Sequence, residues 1–154
     1  YIVAHREQSY EAVVRADKMI RGILVAREEQ LQPYLDKDNI KFLFPSPNAF
    51  AATLLVKYEL LTEFNIDINK LNNYQYVNSH DSVYKGVSRN VGDLGGGIQR
   101  TFMNFDKKSD KKNLHVVYKT KPYPSHPIAF KADMNAEAKE NVINALLALP
   151  EDLS

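Results

Sequence analysis

The sequence predicts an α/β fold: a largely parallel sheet with helices on both faces. Three observations carry the prediction. Short apolar runs alternate with amphipathic stretches along most of the 154 residues, the order that builds parallel strands joined by crossover helices. One apolar run, Phe42-Leu43-Phe44, stops at Pro45 and Pro47 and restarts as a helical pattern, the form of a strand, a tight turn and a helix. Five of the six glycines lie between positions 86 and 97 and end in Gly95-Gly96-Gly97, which predicts close backbone approach, a nest of N–H groups or a flexible turn.

The elements follow in order. Residues 1–4, Tyr-Ile-Val-Ala, read as strand from the first position. Residues 7–18 have helical character with Tyr10, Val13 and Val14 inward. Residues 20–26 form a buried strand. A short helix follows around 28–35, limited by Pro33, and 40–44 is the next strand. The helix after it starts with Ser46 as cap and Pro47 at its first position. Phe50, Leu54, Tyr58 and Leu61 recur on it at the spacing of a buried stripe, with Ala51 and Leu55 beside them. Residues 65–73 are turn-like and 74–77 a short strand. A helix follows Ser79, with Val83, Tyr84 and Val87 on one side. Residues 107–112, rich in lysine, read as a solvated loop. Residues 114–118 and 128–130 are strands, separated by a stretch stiffened by Pro122, Pro124 and Pro127. The last helix starts near Asn135, buries Val142, Ile143, Leu146 and Leu147, and stops at Pro150.

Composition limits the function. Hydrophobic residues make up 44% and charged residues 25%, enough to build one domain with a core. A net charge of +1 implies no general attraction to nucleic acid or membrane. The absence of cysteine excludes disulfides, thiolate catalysis and cysteine-bound zinc. The four histidines, His5, His80, His115 and His126, have no metal-ligand spacing. His80, Asp81 and Ser82 are consecutive, so their side chains diverge and cannot form a relay. No nucleophile elbow, Walker sequence or dinucleotide fingerprint is present. No catalytic residues, metal or cofactor are therefore expected, and polar loops without a catalytic set fit a binding protein.

In a sheet of this kind ligands bind at the carboxyl ends of the strands. Those ends carry residues 45–50, 79–80, 95–100 and 123–126, four loops of unusual composition on one edge. The first N–H groups of the helix near Asn48, Ala49, Phe50 and Ala51 point outward with the positive end of the helix dipole. His80 can donate to an oxyanion, and Arg100 offers a planar fork suited to phosphate or carboxylate. The competing readings are a capping or core role for His80, a surface ion pair for Arg100, and a place in the core for Phe50 rather than a stacking surface.

These loops resemble those of the periplasmic substrate-binding proteins of phosphate, phosphite and phosphonate ABC transporters, the PhnD-like family. The likeness covers nearly the whole chain. Residues 1–5 are similar to the segment whose tyrosine, here Tyr1, reaches the ligand. Residues 19–27 resemble the strand entering the second lobe. Residues 44–52, Phe-Pro-Ser-Pro-Asn-Ala-Phe-Ala-Ala, align with the ligand-binding turn, residues 79–83 with the ligand-histidine motif, and residues 92–101 with the next strand and its loop, ending in Arg100 and Thr101. Residues 118–130 resemble the hinge return, and 135–149 the following helix. The family turn is rich in Ser and Thr hydroxyls; here Asn48, Ala49, Phe50 and Ala51 leave backbone N–H groups and the Asn48 amide. Where the family holds a ligand amine with acids, this chain has Arg100 and Ser125.

The resemblance implies a type 2 periplasmic-binding-protein lobe, mainly parallel and flanked by helices, with antiparallel hinge strands. It implies a remnant of the first lobe in 1–18, the second lobe in 19–134, and a C-terminal helix and return segment in 135–154. The expected function is the solute-binding component of an ABC transporter for a small phosphonate- or phosphate-like oxyanion, here as a partial chain. The expected partners are a small anionic ligand and an inner-membrane permease, with no nucleic acid and with self-association of the truncated chain. The expected location is the periplasm, or outside the cell at a membrane. The alternative is an extracellular sensory ligand-binding domain of a signalling protein.

Overall fold

The structure, a computed structural model, describes residues 1–105 and 108–149. Its elements in chain order are α1 (Ile2–Gln8), β1 (Tyr10–Arg15), β2 (Met19–Ile20), β3 (Gly22–Ala26), α2 (Gln32–Leu35) and β4 (Phe42–Phe44). A π-helical segment (Phe50–Leu55) then runs into α3 (Val56–Phe64), α4 (Ile68–Leu71), β5 (Tyr74–Tyr76), α5 (His80–Ser88), β6 (Leu94–Ile98), α6 (Gln99–Met103) and α7 (Lys108–Lys111). The chain ends with β7 (His115–Lys119), β8 (Tyr123–Pro124), β9 (Pro127–Lys131) and α8 (Ala136–Leu147). Two compact units result, Ile20–Tyr123 and Tyr1–Met19 with Pro124–Ser154.

The larger unit is built on a five-stranded sheet in the order β5-β4-β6-β3-β7. β4 runs parallel to β5 and β6, while β3 is antiparallel to both β6 and β7. Four strands thus share one direction and the entering strand β3 opposes them. Alternation along the strands divides the core into two layers. Leu24, Ala26, Phe42, Phe44 and Leu94 pack against Val56, Leu60 and Ile68 on one face. Ile23, Val25 and Leu43 pack against Val83, Tyr84 and Val87 on the other. Helices on both faces and strands buried on both sides are the expected α/β arrangement.

The glycine run is neither a nest nor a turn. It is the interior of β6, the middle strand of the sheet. A side chain at Gly96 would strike the Ala52 carbonyl and the Phe44 ring, and one at Gly95 or Gly97 would strike Val83 or Tyr84 on the other face. Glycine is a poor strand former, but here it lets the π-helical segment and α5 seat directly on the sheet backbone. Of the anticipated roles, close approach is the one observed.

The phase of the following helix also differs from expectation. Ala51, Ala52, Leu55, Val56 and Leu60 face the core, whereas Phe50, Leu54, Tyr58 and Leu61 are exposed. The π-helical segment has more residues per turn than an α-helix, which rotates the inward face onto the small alanines. Only small residues fit where the helix backbone meets Gly22 and Gly96.

In the smaller unit β1 and β9 form an antiparallel pair, Tyr10 opposite Lys131 and Arg15 opposite Pro127, with an irregularity between Ala12 and Val14. This corrects both N-terminal expectations. Residues 2–8 are helical, with His5 N–H donating to the Tyr1 carbonyl at 2.8 Å, and among the described residues no strand pairs with them in a ladder. Residues 10–15 are strand because β9 supplies one, and Tyr10, Val13 and Val14 suit a pleated surface. α8 begins as expected, with the Asn135 side chain accepting from Ala138 N–H at 3.0 Å. Its Lys139 pairs with Glu11 of β1 at 2.6 Å. None of the described residues of this unit is buried. Ile143 and Leu146 are half-buried while Val142 and Leu147 are exposed, so α8 covers less than its pattern predicted. Lys107 and the stop at Pro150 lie outside the described residues; residues 108–111 of the lysine-rich run are helical.

Candidate functional site

β4, β5 and β6 are adjacent and parallel, so their carboxyl ends open onto one edge of the larger unit. That edge receives Asn48, Ala49, Phe50 and Ala51 after β4, His80 after β5, and Arg100 and Thr101 after β6.

The turn after β4 is more drawn out than the sequence implied. Ser46 is not the helix cap and Pro47 is not its first residue: the helix starts at Phe50, preceded by an extended Ala49. The Ser46 carbonyl accepts from the Thr53 hydroxyl at 2.8 Å and from Ala49 N–H at 3.4 Å, closing the turn on itself. The first carbonyl used by the helix is that of Ala49, which accepts from the N–H groups of Thr53 at 2.9 Å and Leu54 at 3.2 Å. The N–H groups of Ala51 and Ala52 stand ahead of it and bond to no described residue. Both residues are buried. Buried N–H groups without an acceptor are uncommon, and at the positive end of a helix they favour an anion.

His80 opens α5. Ser79 caps that helix, its hydroxyl accepting from Ser82 N–H at 3.0 Å, as the sequence predicted. The His80 ring is half-buried, and its Nδ1 is buried without a hydrogen-bond partner among the described residues. Burial pushes the pKa of the ring below the ordinary histidine value, against the opposing charge of Asp81. The ring is therefore neutral near pH 7, with one nitrogen able to donate and the other to accept.

After β6 the short α6 carries Arg100 at the surface. The Arg100 guanidinium makes no ion pair or hydrogen bond among the described residues. Thr101 closes the turn, its hydroxyl donating to the Ile98 carbonyl at 2.8 Å and bonding the Tyr84 hydroxyl at 3.0 Å. Burial raises the pKa of Tyr84, which keeps that hydroxyl protonated. Phe50 is 36% exposed and meets Tyr123 edge-on with ring centroids 6.1 Å apart. Arg21, which sequence reasoning did not single out, also reaches this edge. Its Nη1 donates to the Thr120 carbonyl at 3.2 Å, and its own carbonyl accepts from Gln99 N–H at 3.3 Å. Only the β3–β6 register brings it there, so no local pattern could have marked it.

Tyr1 and Ser125 belong to the smaller unit. Tyr1 stacks on His5 at 5.5 Å, and its hydroxyl accepts from Ala12 N–H at 3.3 Å. The Ser125 hydroxyl donates to the Ala16 carbonyl at 2.8 Å. A cavity of about 390 Å³ lies at the opposite edge of the larger unit's sheet, lined by Leu35, Phe42, Leu61, Ile66, Lys70 and Leu71 among others. It has no counterpart among the expected site residues. Among the described residues no cluster of His, Asp or Glu could hold a metal ion, and no helix is long and apolar enough to cross a membrane.

The family described as the periplasmic substrate-binding protein of phosphonate ABC transporters matches residues 1–154. The chain belongs to this family. Solved structures agree in fold. A binding-protein component of an ABC phosphonate transporter from Pseudomonas aeruginosa is 16% identical with a TM-score of 0.71, over 92% of this chain and 51% of that one. A PhnD protein from Prochlorococcus marinus, in complex with methylphosphonate, is 17% identical with a TM-score of 0.74, over 94% of this chain and 58% of that one. A histidine kinase sensor domain with similarity to periplasmic binding proteins is 12% identical with a TM-score of 0.56, over 90% of this chain and 61% of that one. A comparison with curated proteins gave no match. This phosphonate-binding family member thus spans little more than half the length of the solved relatives. The family is one of transport binding proteins rather than enzymes.

Proposed function

We propose that the chain is part of the solute-binding component of an ABC transporter and takes a small oxyanion of the phosphonate or phosphate type. The observation that carries this reading is a set of unsatisfied polar groups on one sheet edge: the buried N–H groups of Ala51 and Ala52 and the buried Nδ1 of His80. Asn48, Ala49, Phe50, Arg100 and Thr101 border them in sequence, and Arg100 adds positive charge. The resemblance of the sequence to the family also marks Tyr1 and Ser125 as ligand contacts. Each polar atom is costly to leave unpaired, and one tetrahedral oxyanion offers enough acceptors for all of them. The lobes of such a protein close on the ligand, and the closed form is presented to the permease. A periplasmic location and an inner-membrane permease as partner follow from the family.

A sensory role is the second reading, supported by the likeness to a histidine kinase sensor domain. Stimulation of a reconstituted permease by the ligand-loaded protein would favour transport. Exposed Tyr1, Ile2 and Val3 favour self-association of the isolated 154-residue chain, which light scattering would detect. The ligand is tested by calorimetry of the full-length protein with phosphate, phosphite, methylphosphonate and small carboxylates. Binding of a phosphorus oxyanion is the expected result, and absence of heat with all of them would overturn the reading.

A further inference from the structure

The larger unit has four arginines, and they divide into two kinds. Arg27 and Arg89 are paired with Asp93 and Asp110. Arg21 and Arg100 form no ion pair among the described residues, and both are exposed at the carboxyl edge of the sheet. They are neighbours, because Gln99, adjacent to Arg100, donates its N–H to the Arg21 carbonyl at 3.3 Å. Gly22, the residue after Arg21, packs against the helix start: the Ala51 carbonyl lies where a Gly22 side chain would be. The Arg21 guanidinium is held by its bond to the Thr120 carbonyl at 3.2 Å, which uses one of its five donors.

Among the described residues no acid forms an ion pair with either arginine. Glu59 is buried and accepts from the Tyr118 hydroxyl at 2.7 Å and from Lys121 N–H at 3.0 Å. Asp81 lies in the first turn of α5, beside His80. Two arginines without a counter-ion on one edge favour an anion there, each guanidinium offering a fork of donors to an oxyanion.

We propose that Arg21 and Arg100 form a second anion subsite, so that the ligand carries two anionic groups. This rests on the oxyanion reading above. The phosphonyl or phosphoryl head occupies the Ala51, Ala52 and His80 donors, and a second oxyanion lies on the arginine pair. Neighbouring strands stand about 4.8 Å apart, so a linker of one or two carbons between the two groups matches the spacing.

The test is calorimetry of the full-length protein with methylphosphonate, phosphonoacetate, methylenediphosphonate and 2-aminoethylphosphonate, for the native protein, Arg21→Gln and Arg100→Gln. At least one of the two-anion ligands should bind about tenfold or more tighter than methylphosphonate, the scale of an added charge-assisted contact. Which one does so distinguishes a carboxylate from a second phosphonate. The amine-bearing ligand should be the weakest. Each arginine variant should reduce the ratio between two-anion and one-anion affinities to about threefold or less, the residue left by losing one such contact. Equal binding of one- and two-anion ligands by the native protein, or variants that weaken all ligands by the same factor, would overturn the subsite while leaving the oxyanion reading standing. No binding of any ligand would overturn both.

Discussion

Replacing Gly96 by alanine is the most demanding structural test. The added methyl would lie against the Ala52 carbonyl oxygen and the Phe44 ring. Neither can swing aside: the carbonyl is backbone, and Phe44 is fully buried beneath Lys57 and Tyr74. β6 cannot retreat either, because β4 and β3 are bonded to its two sides and Tyr84 and Val83 press on its other face. The helix start must then move outward by about 1.4 Å to restore a normal contact near 3.5 Å. Overpacking of this kind costs about 1–3 kcal/mol, and a backbone obstacle places Gly96→Ala at about 3 kcal/mol. Gly86→Ala is the control. Its methyl meets the end of the Leu43 side chain at 2.6 Å and Val91 at 3.9 Å, with no backbone in the way, and alanine gains about 1 kcal/mol of helix propensity over glycine, so the net change should be near zero. Chemical denaturation of both variants measures the difference. Because the displaced segment carries the Ala51 and Ala52 N–H groups, Gly96→Ala should also weaken oxyanion binding. Equal stability of the two variants would refute the close-packed account of the glycine strand.

Three further outcomes are expected. His80→Ala should weaken binding of the preferred oxyanion by roughly 1–3 kcal/mol, the scale of one lost charge-assisted hydrogen bond, as read by calorimetry; unchanged affinity would remove His80 from the site. Burial, and then the hydrogen bond to Glu59, push the pKa of Tyr118 well up. Its contribution to stability is complete below the ordinary tyrosine value of about 10 and is lost as pH rises beyond it; Glu59→Gln should bring tyrosinate absorbance in at lower pH. For Asp93, burial alone would raise the pKa, but the Lys37 side chain, the Lys41 N–H and the Arg27 charge outweigh it and hold the carboxyl below its ordinary value. That contribution is present above about pH 4 and is lost as pH falls below it, so Asp93→Asn should flatten the acid limb of the stability profile.

The parts of the fold that depend on local pattern were legible in the sequence. Ser79 announces α5, and Val83, Tyr84 and Val87 fall on its inner face as their spacing predicts. The apolar run at Phe42-Leu43-Phe44 and the prolines after it mark the end of β4 correctly. Features that depend on distant partners were not legible. The pairing of β1 with β9 joins segments more than a hundred residues apart, so local propensity assigned both N-terminal stretches wrongly. The exposure of Phe50, Leu54, Tyr58 and Leu61 follows from a π-helical start that exists because Gly22 and Gly96 admit the helix backbone, and no periodicity encodes that. Glycine propensity pointed to a loop at 95–97, where burial on both faces of a central strand prevails. The candidate site shows the same division. His80 and the helix start were visible as strand-end residues, whereas Arg21 acquires its place only through the β3–β6 register.

An oxyanion on the carboxyl edge of the larger unit's sheet would sit on the Ala51 and Ala52 N–H groups and His80. An amide NMR titration of the labelled full-length protein with methylphosphonate tests it directly. Saturable shifts are expected at the Ala51 and Ala52 amides, accompanied by a change at the His80 ring. Shifts confined to the opposite cavity, at residues such as Ile66 and Leu71, with Ala51 and Ala52 unmoved, would contradict it.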